Sequence, residues 1–350
     1  MPADFSLPPS AFTLLAQAGP KNVGTTTTIL SCCVLGAFIV LWIVGRILKK
    51  NAPSYIDPAV LQSFNHRVHA WWLIWATLVA GVLLGRVATV GLFGLVSFWA
   101  MREIVTMTPT RRGDHRTLFW TFFLFTPLQY LLVGLGLDYY SLYSIMIPVY
   151  ASLFINARIA LSGDPKRFLE RSAKIQAGLL ICVYSLSYAP AILDLPLQTW
   201  DAVAGQLTLW TGVLGDNRSL LIYFVLVVHL SDIFQYSCDK LLGKTMVAPN
   251  INSSRTWEGF FCGTLCTAVV GTLLSGVTPF TLLGAFAMSI IIAVMGFAGN
   301  LTMSAIKRDR GVADFGTLVQ GHAGILDRID SLCFAAPVFY HVTRWMLYRM

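Results

Sequence analysis

Charge is scarce in this chain. Only 12% of its 350 residues are charged, against 56% hydrophobic, a balance that argues against two soluble domains. Cysteine is present without pairing: Cys32, Cys33, Cys182, Cys238, Cys262, Cys266 and Cys333 show no CxxC spacing and lie mostly within apolar runs. Neither a zinc site nor a disulfide framework is indicated. Cys262 and Cys266, four apart, share a helix face, where packing is the ordinary use of a small sulfur side chain. A basic opening is missing as well. Residues 1–28 carry Asp4 and several prolines, so AQA at 16–18 does not read as a signal-peptide cleavage site and the stretch reads as a polar lead-in. The net charge is +8, but the basic residues stand singly or in short clusters beside apolar segments, with no basic face or recognition motif. No nucleic-acid partner is expected.

What the chain has in quantity is long apolar runs, at a mean hydropathy of +0.67. They can be drawn at about 29–47, 71–84, 87–101, 118–137, 140–161, 175–193, 220–230, 260–274, 282–301 and 331–347. Because about 20 apolar residues cross the hydrocarbon core as a helix, the pattern predicts an all-α polytopic transmembrane bundle of about ten helices. Segment 71–84 is followed by Arg86, so it either forms a tight hairpin with the next segment or runs on as one long helix. Segment 220–230 is short for a crossing and is expected to continue through Asp232 and Tyr236. Trp71, Trp72 and Trp75 read as interfacial aromatics. Glu103, ending the third segment, is either interfacial or a partner of a basic residue.

Lys and Arg test this division. Loops after odd-numbered segments hold 20 of the 25, and Lys21, Arg86, Arg218, Arg344 and Arg349 fall on the other side. By the positive-inside rule the rich side is cytoplasmic and both chain ends lie outside. The basic turn at 163–167 suits topology anchoring or anionic lipid headgroups. Two polar stretches, 231–259 and 304–330, then share the cytoplasmic side, predicting a cytoplasm-facing polar groove. The chain divides accordingly into the lead-in, N-terminal membrane helices over 29–230 and a C-terminal membrane region over 231–350, which holds both polar stretches.

Stretch 304–330 holds Lys307, Arg308, Asp309, Arg310, Asp314, His322, Asp327, Arg328 and Asp330. Topology anchoring explains Lys and Arg at a membrane edge, but not four carboxylates and a His among them. Asp327 and Asp330 are three apart and can face one side where the last helix begins. Paired carboxylates beside cations are what a magnesium–phosphate site needs. In 231–259, Asp232 and Tyr236 would stack on one helix face, followed by Gly243-Lys244, a loop with Pro249, and a helix start carrying Ser253, Ser254 and Thr256. Such a start is either an anion seat or an ordinary cap.

At these residues the chain resembles the CTP:phosphatidate cytidylyltransferases, or CDP-diacylglycerol synthases. Ser304, Lys307, Arg308, Asp314, Gly316, His322, Gly324, Asp327, Arg328 and Asp330 stand at the spacing of that family's C-terminal signature. Ser231-Asp232, Tyr236, Gly243-Lys244, Pro249 and Thr256-Trp257-Glu258-Gly259 match upstream. The likeness is specific from Ser231 onward and general before it. Departures are Asp239 where Gly is usual, Ser253 for Pro, Arg255 for Lys, Ala313 for Lys, Gln320 for Pro or Gly, and Ala323 for Gly.

The resemblance implies transfer of CMP from CTP to phosphatidate, giving CDP-diacylglycerol and pyrophosphate for phospholipid biosynthesis. Its expected partners are CTP, phosphatidate and membrane lipid, with one magnesium ion or two. Asp327 and Asp330, joined by Asp232 or Asp314, would hold the metal. Lys307, Arg308 and Arg328 would neutralise phosphates, Ser304 and His322 would donate hydrogen bonds, and Lys244, Arg255, Thr256 and Glu258 would shape the facing wall. The expected location is the bacterial cytoplasmic membrane. A homodimer is compatible with such a bundle, though nothing in the sequence marks its interface. The alternatives are transfer to another lipid phosphate, a CTP-using kinase of a polyprenol, or a non-catalytic scaffold prompted by Ala313 and Ala323. A transporter is disfavoured because the ionisable residues sit in membrane-edge motifs rather than along broken helices.

Overall fold

The computed structural model describes residues 27–36, 39, 43, 72, 74–107, 111–201, 206–209, 216–312 and 324–349. Among them are ten helices: α1 (Thr27–Gly36), α2 (Ile74–Leu84), α3 (Arg86–Met107), α4 (His115–Leu135), α5 (Leu137–Ala160), α6 (Phe168–Asp194), α7 (Asn217–Leu242), α8 (Trp257–Leu273), α9 (Leu282–Arg310) and α10 (Leu326–Arg349). Two antiparallel hairpins accompany them, β1 (Gln198–Asp201) with β2 (Gln206–Leu209) and β3 (Met246–Ala248) with β4 (Asn252–Thr256). Six helices, α3 to α7 and α9, are long and apolar enough to cross a membrane. Large apolar side chains such as Leu95, Phe123, Leu153, Leu265 and Leu283 point outward, a surface suited to lipid and not to water. The chain is an integral membrane protein built as an all-α bundle.

Local signals in the sequence fix the helix ends. Asp216 accepts from Ser219 N at 2.8 Å while Ser219 Oγ accepts from Asp216 N at 2.9 Å, a reciprocal cap that starts α7. Thr256 and Thr281 cap α8 and α9 by accepting from Gly259 N and Gly284 N. Gly311, at φ 69°, closes α9 in the left-handed conformation. The second and third segments form a hairpin: the chain turns at Gly85 (φ 107°), and Thr89 Oγ1 donates back to Gly81 O at 3.0 Å. Helix α7 continues past Asp232 and Tyr236 to Leu242.

The alternation read from Lys and Arg has a counterpart in space. Arg86 pairs with Asp194 at 2.6 Å, and its guanidinium donates to Val133 O near the end of α4. Thr27 Oγ1 donates to Asp216 at 2.6 Å. These are all ends assigned to the Arg-poor side. At the opposite end, Arg111 pairs with Asp164 at 2.6 Å, Arg171 pairs with Asp114 at 2.5 Å, and Arg308 Nε donates to Ile251 O at 3.2 Å. Loops placed on one side by charge therefore meet one another in the fold.

Because lipid tails are as apolar as Leu, close helix contact in a membrane rests on small residues and polar pairs. A Cβ on Gly263 would lie 2.5 Å from the Gln235 backbone, and one on Gly271 would lie 2.0 Å from Ser289 Oγ. Gly259 and Gly263, four apart, face α7 in this way. The first helices α3 to α6 and the last helices α7 to α10 form two groups, with α10 packed against α6, α7 and α9. Tyr143 and Tyr340 join their hydroxyls at 2.9 Å between α5 and α10.

Candidate active site

The site grows from the hairpin between α7 and α8. Strand β4 ends at Thr256, and α8 begins at Trp257, so Ser253 and Ser254 lie in a strand and not at a helix start as the sequence suggested. They fall in the irregular stretch between the paired Asn252 and Thr256, where Ser254 donates through N and Oγ to Asn252 Oδ1 at 3.1 and 2.7 Å. Thr256 Oγ1 and N both donate to Asp239 Oδ1, at 2.8 and 2.9 Å. Glu258 turns back to accept from the backbone N–H groups of Lys244 and Thr245 at 3.1 and 3.0 Å, locking the loop entrance. Ser304 accepts from Asn252 Nδ2 at 3.1 Å, and Arg308 reaches Ile251 O. Four expected site residues, Thr256, Glu258, Ser304 and Arg308, thus fasten the hairpin to α7, α8 and α9. Lys244 is exposed in the same loop.

Two departures from the family pattern meet here. Asp239, buried near the end of α7, pairs with Arg255 of β4 at 3.2 Å. The space is tight: a Cβ on Gly259 would lie 1.9 Å from Asp239 Oδ1. Arg255 also donates through Nε to Asn300 Oδ1 at 3.2 Å, and Asn300 Nδ2 donates to Asp330 Oδ2 at 3.2 Å. A relay from Asp239 through Arg255 and Asn300 therefore ends on a carboxylate of α10.

That carboxylate stands on a cavity of about 160 Å³, lined by Ile74, Trp75, His229, Asp232, Arg255, Asn300, Asp327, Arg328 and Asp330. Asp327 and Asp330 reach it together from the first turns of α10, as their spacing predicted. Asp232 enters from α7 and accepts from Ser331 Oγ at 2.8 Å, while the same hydroxyl lies 3.5 Å from Asp330 Oδ1. Lys307 Nζ donates to Asp327 Oδ1 at 2.9 Å. Three carboxylates and the cations Arg255, Lys307 and Arg328 are thus gathered at one place. Asp314 and His322, with Ala313, Gln320 and Ala323, lie outside the described residues. Tyr236, expected on the face of Asp232, is exposed, with Lys240 5.9 Å from its ring.

Several residues of the site escaped the sequence reading. Trp75 is buried, with its ring 5.6 Å from that of His229, and is no interfacial aromatic. Asn300 and His229 are lone polar residues inside apolar runs, which was the available signal. Glu103, buried at the end of α3, accepts from Ile325 N at 3.0 Å and Leu326 N at 2.9 Å. Among the described residues its partners are these two free N–H groups where α10 begins, a favourable place for negative charge, and it so sets the helix that carries Asp327 and Asp330. A larger cavity of about 400 Å³, between α5 and α6, is lined by Ile147, Pro148, Ile155, Leu179 and Gln176 among others and holds no ionisable side chain.

The sequence profile of the cytidylyltransferase family matches residues 65–346, a span that includes every element of the site. The chain belongs to the cytidylyltransferase family. This member is 34% identical over 284 residues to the "Uncharacterized protein YnbB" of Escherichia coli, covering 81% of the present chain and 88% of that protein. It is 37% identical over 121 residues to a phosphatidate cytidylyltransferase of Aquifex aeolicus, covering 34% of this chain and 45% of the relative. For phosphatidate cytidylyltransferase 5, chloroplastic, of Arabidopsis thaliana, the identity is 31% over 217 residues, 59% of this chain and 53% of the relative. The chain spans about half the length of these phosphatidate cytidylyltransferases.

Proposed function

We propose that this protein transfers CMP from CTP to phosphatidate, releasing pyrophosphate and leaving CDP-diacylglycerol in the membrane. The observation that carries the reading is the convergence of Asp232, Asp327 and Asp330 with Arg255, Lys307 and Arg328 around one cavity. A phosphate monoester oxygen is already an adequate nucleophile. The protein then has to bring two anions together and stabilise charge at the α-phosphorus and on the leaving pyrophosphate. Arg255, Lys307 and Arg328 are suited to that neutralisation, with Arg255 held in place by Asp239 and Asn300.

The donor set fits a hard divalent ion: Asp232, Asp327 and Asp330 offer carboxylate oxygens, the ligands magnesium prefers. Asp232, Asp327 and Asp330 would hold magnesium there, and its charge would help neutralise the phosphates. Asp314 is a further candidate ligand by its place in the sequence motif. The Arg-rich end of the bundle, where the cavity lies, is the cytoplasmic end under the positive-inside rule, which gives the site access to nucleotide. With α10 as its carrier, the catalytic region is 231–350, supported by α2 and α3.

The test is pyrophosphate release from CTP by the purified protein with magnesium and a panel of lipid phosphates. Release with phosphatidate alone is expected. Release with another lipid phosphate only would move the substrate, and no release with any would favour a non-catalytic scaffold.

A further inference from the structure

Helices α7 and α8 hold three cysteines that the reaction above does not use. Cys238 lies on α7, and Cys262 and Cys266 lie one turn apart on α8. Their sulfurs all lie within 4.8 Å of one another, with Cys238 Sγ 2.8 Å from Cys262 Sγ. The convergence is a product of the fold: Gly259 and Gly263, on the face of α8 beside these cysteines, let the two helices approach far closer than side chains would. Asp239, next to Cys238, is engaged by Arg255 and Thr256, so sulfur alone makes up the donor set. Cys238 is buried, and Cys262 and Cys266 are partly accessible.

We infer that Cys238, Cys262 and Cys266 form a three-thiolate site for one soft, thiophilic cation of the Cu(I), Zn(II) or Cd(II) class. Three sulfurs each about 2.3 Å from a shared ion stand about 4 Å from one another, so Cys238 and Cys262 must open by about an ångström from their 2.8 Å contact, while the wider pairs, all within 4.8 Å, draw in by less than that. A disulfide would use two thiols and leave the third idle, whereas a metal employs all three. Soft thiolates select such ions over magnesium, which keeps to oxygen ligands. Binding requires the thiols to lose their protons, so it strengthens as pH rises. An ion here would tie α7 to α8 beside the Asp239–Arg255 pair, independently of whether the carboxylate site turns over CTP.

Cadmium is the probe, because its thiolate charge-transfer band reports sulfur ligation directly. Full-length protein with Cys32→Ser and Cys33→Ser is purified in detergent under reducing conditions, loaded with Cd²⁺ and dialysed. The expected result is one cadmium per chain with that band, undisturbed by excess magnesium. Cys238→Ser, Cys262→Ser and Cys266→Ala should each weaken binding at least as much as loss of an outer-shell partner does, roughly tenfold or more. Cys182→Ser should leave it unchanged. Since Cys238 is buried, Cys266→Ala decides the matter if Cys238→Ser fails to fold. No cadmium retained by folded protein, or retention indifferent to all three substitutions, overturns the site. So does a reduced protein that retains no cadmium but forms a Cys238–Cys262 disulfide under mild oxidant.

Discussion

Two clusters of Asp with Arg or Lys lie at the same end of this bundle and are built in opposite ways. In the first, Arg171 donates to both oxygens of Asp114, to the carbonyls of Asp164 and Lys166, and to Ser162 Oγ. Both side chains are almost wholly buried, at 6% and 2% exposure. Nothing is left over for a ligand, and the pair joins the start of α6 to the start of α4. In the second, Asp232, Asp327 and Asp330 line a cavity with Arg255 and Arg328, and like charges sit beside one another. The comparison teaches how to tell a structural ion pair from a site in a membrane protein: a structural cation exhausts its donors on fixed partners, whereas a site gathers carboxylates around open space.

The largest effect should come from breaking the closed pair. Arg171→Leu leaves Asp114 buried without its partner, a loss of about 3–5 kcal/mol, visible as a large drop in melting temperature in detergent with activity per folded molecule unchanged. Asp327→Asn should do the reverse, abolishing metal-dependent turnover by about a hundredfold or more with the melting temperature nearly kept. Full activity in that variant would remove Asp327 from the metal ligands. Glu103→Gln weakens the cap on α10 and should cost about 1 kcal/mol together with a severalfold fall in turnover, because it loosens the helix carrying both carboxylates. Equal loss of turnover in an Asp114→Asn control would erase the distinction drawn between the clusters.

The smallest effect is electrostatic and exposed. Arg111, donating to Asp164, holds that carboxyl below its usual range, helped by the Lys166 backbone N–H. The associated stability is present above the ordinary carboxylate pKa of about 4 and is lost as pH falls through the lower folded value. Being at the surface, it should also fade with salt. A melting series across that window, compared with Arg111→Ala, measures it.

Much of the fold was legible because helix periodicity and hydropathy act locally. The run 220–230 was too short to cross, and its continuation through Asp232 followed from that; α7 extends to Leu242. Asp327 and Asp330 share the cavity because a spacing of three on a helix puts side chains on one face. Other parts depended on distant contacts that no local pattern carries. Glu103 meets Ile325 and Leu326 from more than 200 positions away. Asp239 and Arg255 looked like two separate departures from the family pattern until the fold paired them. Asn300 and His229 were visible as polar interruptions, but averaging over an apolar window hides a single side chain. Ser253 and Ser254 carry cap chemistry, yet the β3–β4 hairpin runs on to Thr256, and that residue caps α8.

The central claim, that this carboxylate cavity serves metal-assisted transfer of CMP to phosphatidate, is tested most directly by following pyrophosphate release from CTP in the presence of phosphatidate. The measurement is made before and after chelation, and again with magnesium restored. The account predicts release that stops on chelation, returns with magnesium, and does not return in Asp330→Asn. Release indifferent to chelation, or a folded protein that releases none with any lipid phosphate, would contradict it.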